Sequence, residues 1–351
     1  MSLTVTAPEP ATARPQPARR HNARLAAGTV VLLGVLVATC AVSIALGARE
    51  VSWHTLWLAF TDYDAADTAQ RVLREMRVPR TLLGLVVGAA LGVSGAILQG
   101  VTRNPLADPG IMGINAGAAM FVVLGVVVLG ASSSATVWLA FLGAGVATVS
   151  VYAIASFGRE GATPVKLALA GAAITAGMVA VTSGLVMTDV DALNTLRFWQ
   201  VGTLSGRYLP VFWQVVWFIV VGLLVALAAG RLLNGLALGE DVARSLGQRV
   251  GLTRAVLFTT VALLCGAATA ACGPIVFVGL VVPHVARMLC GPDYRWIIPY
   301  SALLSPVVLL AADIAGRLLL ADGELQVGVV LGAVGAPVFI GLVRYRGLAE
   351  L

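Results

Sequence analysis

The sequence predicts an all-α polytopic membrane protein with about ten transmembrane helices. Of its 351 residues, 59% are hydrophobic and only 11% are charged, whereas soluble domains carry about 25% charged residues. The apolar residues are gathered into about ten runs, most of them close to the ~20 residues that a helix needs to cross a bilayer. Because these runs are continuous and do not alternate with polar residues, they do not fit a transmembrane β-barrel.

Short polar turns separate most of the predicted spans. The spans are predicted at 25–47, 81–101, 111–130, 135–157, 165–187, 211–230, 254–272, 275–290, 297–320 and 327–343. Longer connections are predicted at 48–80, 188–210 and 231–253. The first run is too long for the apolar core of a signal peptide and lacks a convincing cleavage site, so we interpret it as a retained helix.

The predicted membrane domain covers residues 25–346 and leaves a tail at each end. Residues 1–24 are rich in Ala, Pro and Arg without apolar periodicity, which predicts a disordered cytoplasmic tail, and residues 347–351 form a short C-terminal tail. Ten spans place both termini on one side, and the excess of Arg in the tails and loops of that side favours the cytoplasm. Topology therefore explains the net charge of +6, and no nucleic-acid partner is predicted.

One group of arginines breaks this charge rule. The cluster between Arg71 and Arg80 is predicted on the side opposite the termini. Arg317 is expected at that side too, one helical turn after Asp313, with which it can form a neutral pair. Because the spans show no clear set of carboxylates near their centres, a stand-alone secondary transporter is the less favoured alternative.

The sequence lacks the motifs of the common catalytic and metal sites. No G-x-x-x-x-G-K-[ST], G-x-S-x-G or H-E-x-x-H motif occurs. The histidines, His21, His54 and His284, are scattered, and the four cysteines lie in apolar runs without C-x-x-C spacing. We therefore predict no catalytic residue, no metal site and no P-loop ATP site in this chain.

The second predicted span carries glycines at a helical spacing. Gly84, Gly88 and Gly92 lie four residues apart, with Gly95 close by. In a bilayer, such a stripe lets the backbones of neighbouring helices approach closely. This span is therefore predicted to be a central, packed helix.

Ordered motifs run along the whole chain. They are Arg77-x-Pro79-Arg80, Ser94-Gly95-x-x-x-Gln99, Arg103-Asn104-Pro105-Leu106-Ala107-x-Pro109-Gly110, Gly113-x-x-x-Gly117-Ala118, Trp199-x-x-Gly202-Thr203-Leu204, Leu238-Gly239-x-x-x-Ala243-x-x-Leu246-Gly247, Gly273-x-Ile275-x-Phe277-Val278-Gly279-Leu280-x-x-Pro283-His284 and Glu324-x-x-x-Gly328. Together, over essentially residues 25–346, they resemble the FecCD-type permeases, the membrane subunits of ABC importers for iron–siderophores, haem and cobalamin. The chain departs from the family pattern at Thr203, where Ser is usual, and at Leu325-Gln326, where a pair containing Pro is usual.

The resemblance implies a type II ABC importer permease fold, with ten helices per subunit and two subunits around a central path, as a homodimer or a heterodimer. Two cytoplasmic ATPase subunits would bind ATP and Mg, so this chain would be a transport subunit, not an enzyme, with no cofactor of its own. An extracytoplasmic substrate-binding protein would deliver the cargo to the bacterial cytoplasmic (inner) membrane. The expected cargo is a ferric siderophore, with haem or cobalamin as the alternative.

The resemblance also implies candidate sites. In the connection 231–253, the segment expected to couple to the ATPase comprises Leu238, Gly239, Glu240, Asp241, Val242, Ala243, Leu246 and Gly247. The residues expected to receive glutamates of the binding protein are Arg77, Arg80 and Arg317. The residues of the fifth span expected to line the path are Gly171, Ala172, Thr175 and Gly177. The residues expected to form a rigid turn, with a share in the ATPase contact as the alternative, are Asn104 and Pro105.

Overall fold

The computed structural model describes residues 18–47, 51–157, 163–320 and 323–345, and all regular secondary structure within them is helical. The α-helices are α1 (Ala18–Ala45), α2 (Trp53–Thr61), α3 (Thr68–Arg71), α4 (Val78–Thr102), α5 (Ile114–Leu129), α6 (Ser133–Ala155), α7 (Pro164–Val186), α8 (Val190–Gln200), α9 (Leu209–Ala228), α10 (Gly230–Ala237), α11 (Glu240–Ser245), α12 (Val250–Cys272), α13 (Val278–Cys290), α14 (Tyr294–Leu318) and α15 (Val327–Tyr345). A π-helical segment, Val72–Arg77, leads into α4, and a 3-10 turn, Pro109–Met112, precedes α5.

The helices reproduce the predicted spans. Within the described residues, seven helices are long and apolar enough to cross a membrane. They correspond to α1, α4 with the short helical segments before it, α6, α7, α9, α12 and α14. Three shorter apolar helices, Ile114–Leu129, Val278–Cys290 and Val327–Gly341, lie where the remaining spans are predicted. The prediction of a polytopic helical protein with about ten spans is confirmed.

The first helix begins earlier than predicted. Because α1 starts at Ala18, residues 18–24, which the sequence placed in a disordered tail, are helical, while the boundary of the membrane domain after residue 24 stays a prediction. Ala and Arg have high helix propensity, so the helix continues beyond its apolar part. The rest of the two predicted tails, residues 1–17 and 347–351, lies outside the described residues.

The three long connections contain helices of their own. The connection 48–80 holds α2, α3 and the π-helical segment, the connection 188–210 holds α8, and the connection 231–253 holds α10 and α11. These helices are too short to cross a bilayer, and hydropathy alone therefore leaves them between the spans.

Helix α4 lies at the centre of the fold, in contact with α14, α12, α13 and α9. A Cβ atom at Gly88 would collide with the backbone of Pro306 in α14, and one at Gly95 would collide with the backbone of Gly279 in α13. The glycine stripe thus allows contact between backbones. The prediction that this span is a central, packed helix is confirmed.

Helix α13 begins inside the bundle. After α12 ends at Cys272, residues 273–277 are not helical, so α13 starts at Val278 rather than at the predicted residue 275. Phe277 has a φ of +69°, a left-handed conformation that is uncommon for a bulky residue. Gly279 lies against Gly95, well within α4, which shows that α13 is a partial span.

The two ends of the bundle differ in their residues. We call one end the arginine end: α1 and α14 finish there, α4 and α15 begin there, and it contains Arg77, Arg80 and Arg317. We call the opposite end the α11 end: α4 and α13 finish there, and α12 and α14 begin there.

Candidate functional site

A buried charge cluster connects several parts of the chain at the arginine end. Arg80 of α4 pairs with Asp313 of α14, with 2.8 Å between Nη2 and Oδ1, and with Glu324, with 2.7 Å between Nη1 and Oε2. Arg317 pairs with Asp313 at 3.1 Å, so the pair predicted from the sequence is confirmed. Asp313 is fully buried, and a buried carboxylate needs such opposite charges and hydrogen bonds to remain ionised.

The arginines also bind the end of α1. Arg77 Nη1 donates to the carbonyls of Ile44 and Ala45 at 3.0 and 2.7 Å. Arg317 Nη1 donates to the carbonyl of Ser43 at 2.9 Å. The last carbonyls of a helix have no partner within that helix and carry partial negative charge. The cluster therefore ties α1 to α4 and α14.

The three arginines expected to receive glutamates of a binding protein lie together, but not as exposed cations. Arg77, Arg80 and Arg317 are 5%, 8% and 3% exposed. Each already has partners within the chain, because helix ends and the buried Asp313 require donors there. A carboxylate arriving from outside has to compete with these partners, so their docking role stays a prediction.

Glu324 is a member of this cluster to which the sequence assigned no role. It lies in the connection between α14 and α15, where it accepts hydrogen bonds from Arg80 and from the Ser205 hydroxyl, the latter at 3.2 Å. Partial burial disfavours its ionised form, but the hydrogen bonds from Arg80 and Ser205, together with the charges of Arg80 and Arg317, outweigh this effect and lower the pKa of Glu324 below its ordinary value. The only feature of the sequence that could have indicated its role was its position in the motif Glu324-x-x-x-Gly328.

Two neighbouring cavities lie beside the cluster, with volumes of about 480 and 200 Å3. The larger one is bounded by α5, α8 and the residues before α15. Both cavities share as lining residues Arg80, Ser205, Gly206, Arg207 and Glu324. In the described parts of the chain, no group of three or more His, Cys, Asp or Glu residues is arranged to hold a metal ion.

The segment predicted to couple to an ATPase, residues 238–247, follows α10 and contains α11 at the α11 end. Gly239 separates the two helices with a φ of +117°, which a side chain would strain. Glu240, at the start of α11, pairs with Arg254 of α12 at 2.6 Å and with Arg244 at 2.7 Å. The Arg254 pair, which the sequence did not indicate, fixes α11 onto the membrane domain.

The apolar residues of this segment do not share one environment. Ala243, which the sequence placed in the coupling segment with Val242 and Leu246, is buried against the rest of the chain. Leu238 and Leu246 are each 69% exposed, and Val242 is 43% exposed. These three residues form an exposed patch, which we call the α11 patch.

The chain turns sharply after α4. Arg103, with a φ of +51°, ends the helix, and the Asn104 side chain accepts a hydrogen bond from the backbone N–H of Leu106 at 2.9 Å. This contact closes a turn around Pro105, which cannot continue a helix.

The residues expected to line the path do not share one environment. Gly171 is buried against the carbonyl of Ile111, so it serves helix packing rather than an open path. Ala172 and Gly177 are exposed on α7. Thr175 is half-buried and lines a cavity of about 380 Å3.

This third cavity contains polar groups within the membrane domain. Its lining includes Asn115 and Thr182 beside Thr175. Asn115 Oδ1 accepts a hydrogen bond from the Thr269 hydroxyl at 3.2 Å. The sequence indicated Asn115 only by its position between Gly113 and Gly117.

Comparisons with known proteins agree with this architecture. Residues 35–345 match the FecCD transport family. The ferric enterobactin transport system permease protein FepD of Escherichia coli is 43% identical over 90% of this chain and 94% of its own. The probable siderophore transport system permease protein YfiZ of Bacillus subtilis is 40% identical over 90% of this chain and 95% of its own. Relatives named as cobalamin and hemin permeases are 37% and 36% identical.

A solved structure shares the fold. It is an inward-facing conformation of a metal-chelate type ABC transporter, with a TM-score of 0.79, 27% identity, and coverage of 90% of this chain and 98% of that one. Helix order, glycine packing and sequence similarity all lead to one conclusion. The chain belongs to the FecCD transport family and is the multi-pass permease subunit of an ABC importer.

Proposed function

We propose that this permease imports a ferric siderophore. The proposal rests on two relatives, each matched over 90% of the chain, that are named for siderophore and ferric enterobactin transport. Import of haem or cobalamin is the alternative, supported by the names of other relatives. The chain itself catalyses no reaction in this proposal, and ATP hydrolysis by partner subunits drives transport.

The proposed orientation in the bacterial inner membrane directs the α11 end to the cytoplasm. Both ends of the described chain, the start of α1 and the end of α15, lie at the α11 end, which agrees with the Arg excess of the terminal segments. Each of the two ATPase subunits would dock on the α11 patch of one permease subunit, since an exposed apolar patch on a helix favours a partner groove. They would supply the sites for ATP and Mg.

At the opposite end, a substrate-binding protein would dock over the arginine end. Its acidic side chains would reach Arg80 by displacing Glu324, whose side chain is 32% exposed and is thus the accessible partner. Arg77 and Arg317 would then contribute through their positive charge. Displacement of one carboxylate by another preserves the charge balance of the cluster.

The path would lie between this subunit and a second permease subunit, either a copy or a paralogue. Helix α7 supports this arrangement because it leaves a face of small residues, including Ala172 and Gly177, uncovered in the single chain. A surface of this kind permits close approach of another helix or passage of a bulky chelate.

The proposal is tested by uptake of radiolabelled iron from a panel of ferric siderophores, with haem and cobalamin alongside, in a deletion strain and in the complemented strain. We expect loss of uptake for a ferric siderophore and its recovery on complementation. Normal iron uptake combined with lost haem or cobalamin uptake would change the cargo to that alternative.

ATPase docking is tested by Leu246→Asp, which places a charge in the α11 patch. We expect loss of co-purification with the ATPase subunits and loss of uptake, at unchanged amounts of folded permease. The matched control is Leu252→Asp at the start of α12, since Leu252 is similarly exposed at 59% but lies outside the patch. Equal effects of both substitutions contradict docking on this patch.

A further inference from the structure

The larger cavity at the arginine end has the size of a small-molecule site. Its volume of about 480 Å3 lies within the roughly 300–1,000 Å3 of known ligand pockets. Polar and aromatic groups both line it. They include Arg80, Phe198, Arg207, Glu324 and Gln326. The cavity extends to the protein surface at Phe198, which is 70% exposed.

The charges around the cavity are not balanced. Arg80 is neutralised by Asp313 and by Glu324, and Glu324 is in turn occupied by Arg80 and the Ser205 hydroxyl. Arg207 is the other cation of the lining, and no ion pair joins it to a carboxylate in the described residues. The cavity therefore carries one positive charge without a countercharge.

Two buried polar atoms in the same lining lack hydrogen-bond partners. They are Nε of Arg207 and Oε1 of Gln326, as judged over the described part of the chain. Buried polar groups are nearly always hydrogen-bonded, because an unsatisfied one loses its hydrogen bonds to water and gains none in return. A guanidinium without a partner in a cavity of this size is suited to an incoming anion, with which it forms two parallel hydrogen bonds.

We propose that this cavity is an outer cargo site for an anionic iron chelate and that Arg207 selects for negative charge on the cargo. This inference rests on the proposed function and narrows its substrate class. The guanidinium would bind negatively charged oxygens of the chelate, and the exposed ring of Phe198 would cover an apolar or aromatic part of it.

The anionic oxygens could instead belong to a carboxylate of the docked binding protein. The geometry favours the cargo, because a single carboxylate would leave most of the 480 Å3 unfilled. The Arg207 Nε atom is also buried from the surface on which a protein would dock. An experiment must nevertheless separate these two sources of charge.

The test compares Arg207→Ala with wild type in the complete importer in proteoliposomes, with uptake measured for an anionic ferric catecholate and an uncharged ferric hydroxamate. We expect KM for the anionic chelate to rise about tenfold, and the ratio of uptake of the two chelates to shift by the same factor. Arg207→Lys should restore part of the difference. Since Arg207 has no ion pair to lose, both variants should keep the melting temperature of the wild type.

The control is Arg71→Ala, which removes a positive charge from the same end of the protein but outside the cavity. It should change uptake of both chelates equally, if at all. An unchanged ratio in Arg207→Ala, or a wild type that imports only the uncharged chelate, would overturn the inference. A wild type that imports no ferric chelate would overturn the proposed function instead.

Affinity of the cargo-free binding protein for the permease separates the two sources of the anion. We expect Arg207→Ala to leave this affinity unchanged, because Arg207 contacts the cargo only. A drop in affinity of about tenfold without cargo would assign Arg207 to protein docking and would overturn the cargo site.

Discussion

Helices α4 and α7 have similar compositions but very different surroundings. Both are apolar enough to span a membrane, and both contain several glycines. In an 18-residue apolar stretch of each helix, however, 83% of the residues are buried in α4 and only 17% in α7. In α4, Cβ atoms at Gly88 and Gly95 would collide with backbone, whereas the space around Gly177 of α7 is open. Gly88 and Gly95 therefore serve close packing in α4, whereas Gly177 leaves an uncovered surface in α7.

The largest expected effect is that of a side chain at Gly95. Gly95→Leu forces α4 away from the backbone of α13, which cannot move as a flexible side chain can, so the cost should equal or exceed the ~3 kcal/mol upper range of overpacking. We expect loss of a monodisperse, folded species in detergent. Gly177→Leu in α7 is the matched control and should change stability by less than about 0.5 kcal/mol. Equal melting temperatures for the two variants would contradict the claim that a glycine is required for packing at position 95 of α4 and not at position 177 of α7.

The second prediction extends the contrast to the charged end of α4. Arg80→Ala leaves the fully buried Asp313 with Arg317 alone, and breaking a buried pair in this way costs about 3–5 kcal/mol. Thermal unfolding in detergent measures the effect. Arg244→Ala, which removes exposed pairs with Glu240 and Asp241, should cost no more than about 1 kcal/mol. Similar losses in the two variants would show that the cluster does not support α4.

The third prediction concerns the pH dependence of the same cluster. The pKa of Glu324 is lower in the folded protein than its ordinary value of 4.5, so its stabilising effect is fully present above pH 4.5 and is lost as the pH falls through the lowered pKa. Wild type should melt at a higher temperature than Glu324→Gln at pH 7, by an amount equivalent to about 1 kcal/mol. The two curves should converge in acid. A constant difference down to pH 3 would contradict the role of this carboxylate.

The smallest expected effect belongs to α7. Thr182 is buried, but its hydroxyl donates to the carbonyl of Met178 in its own helix at 2.8 Å, so Thr182→Val removes no hydrogen bond between helices. Stability should change by less than about 1 kcal/mol, as measured by thermal unfolding. A loss above 2 kcal/mol would mean that α7 contributes to the core of the single chain.

Sequence patterns predicted the features of this protein that depend on residues close together in the chain and missed those that depend on distant residues. The ten spans, the central position of the glycine-striped helix and the Asp313–Arg317 pair all follow from local spacing. The start of α1, the partial span α13 and the burial of Ala243 do not, because each depends on partners distant in sequence. Arg80 illustrates this limit, since its partners Asp313 and Glu324 lie more than 230 residues away.

Hydropathy and motif order alone establish a helical membrane protein of the FecCD type. They cannot establish which partner each glycine of α4 meets, which arginines are buried in ion pairs, or that Arg207 remains without a carboxylate partner in the described chain. The physical reason is that lipid and protein interior are similarly apolar. Burial against another helix and exposure to the bilayer therefore select the same residues, so the tertiary contacts, and not hydropathy, show that α4 is buried and α7 is largely uncovered.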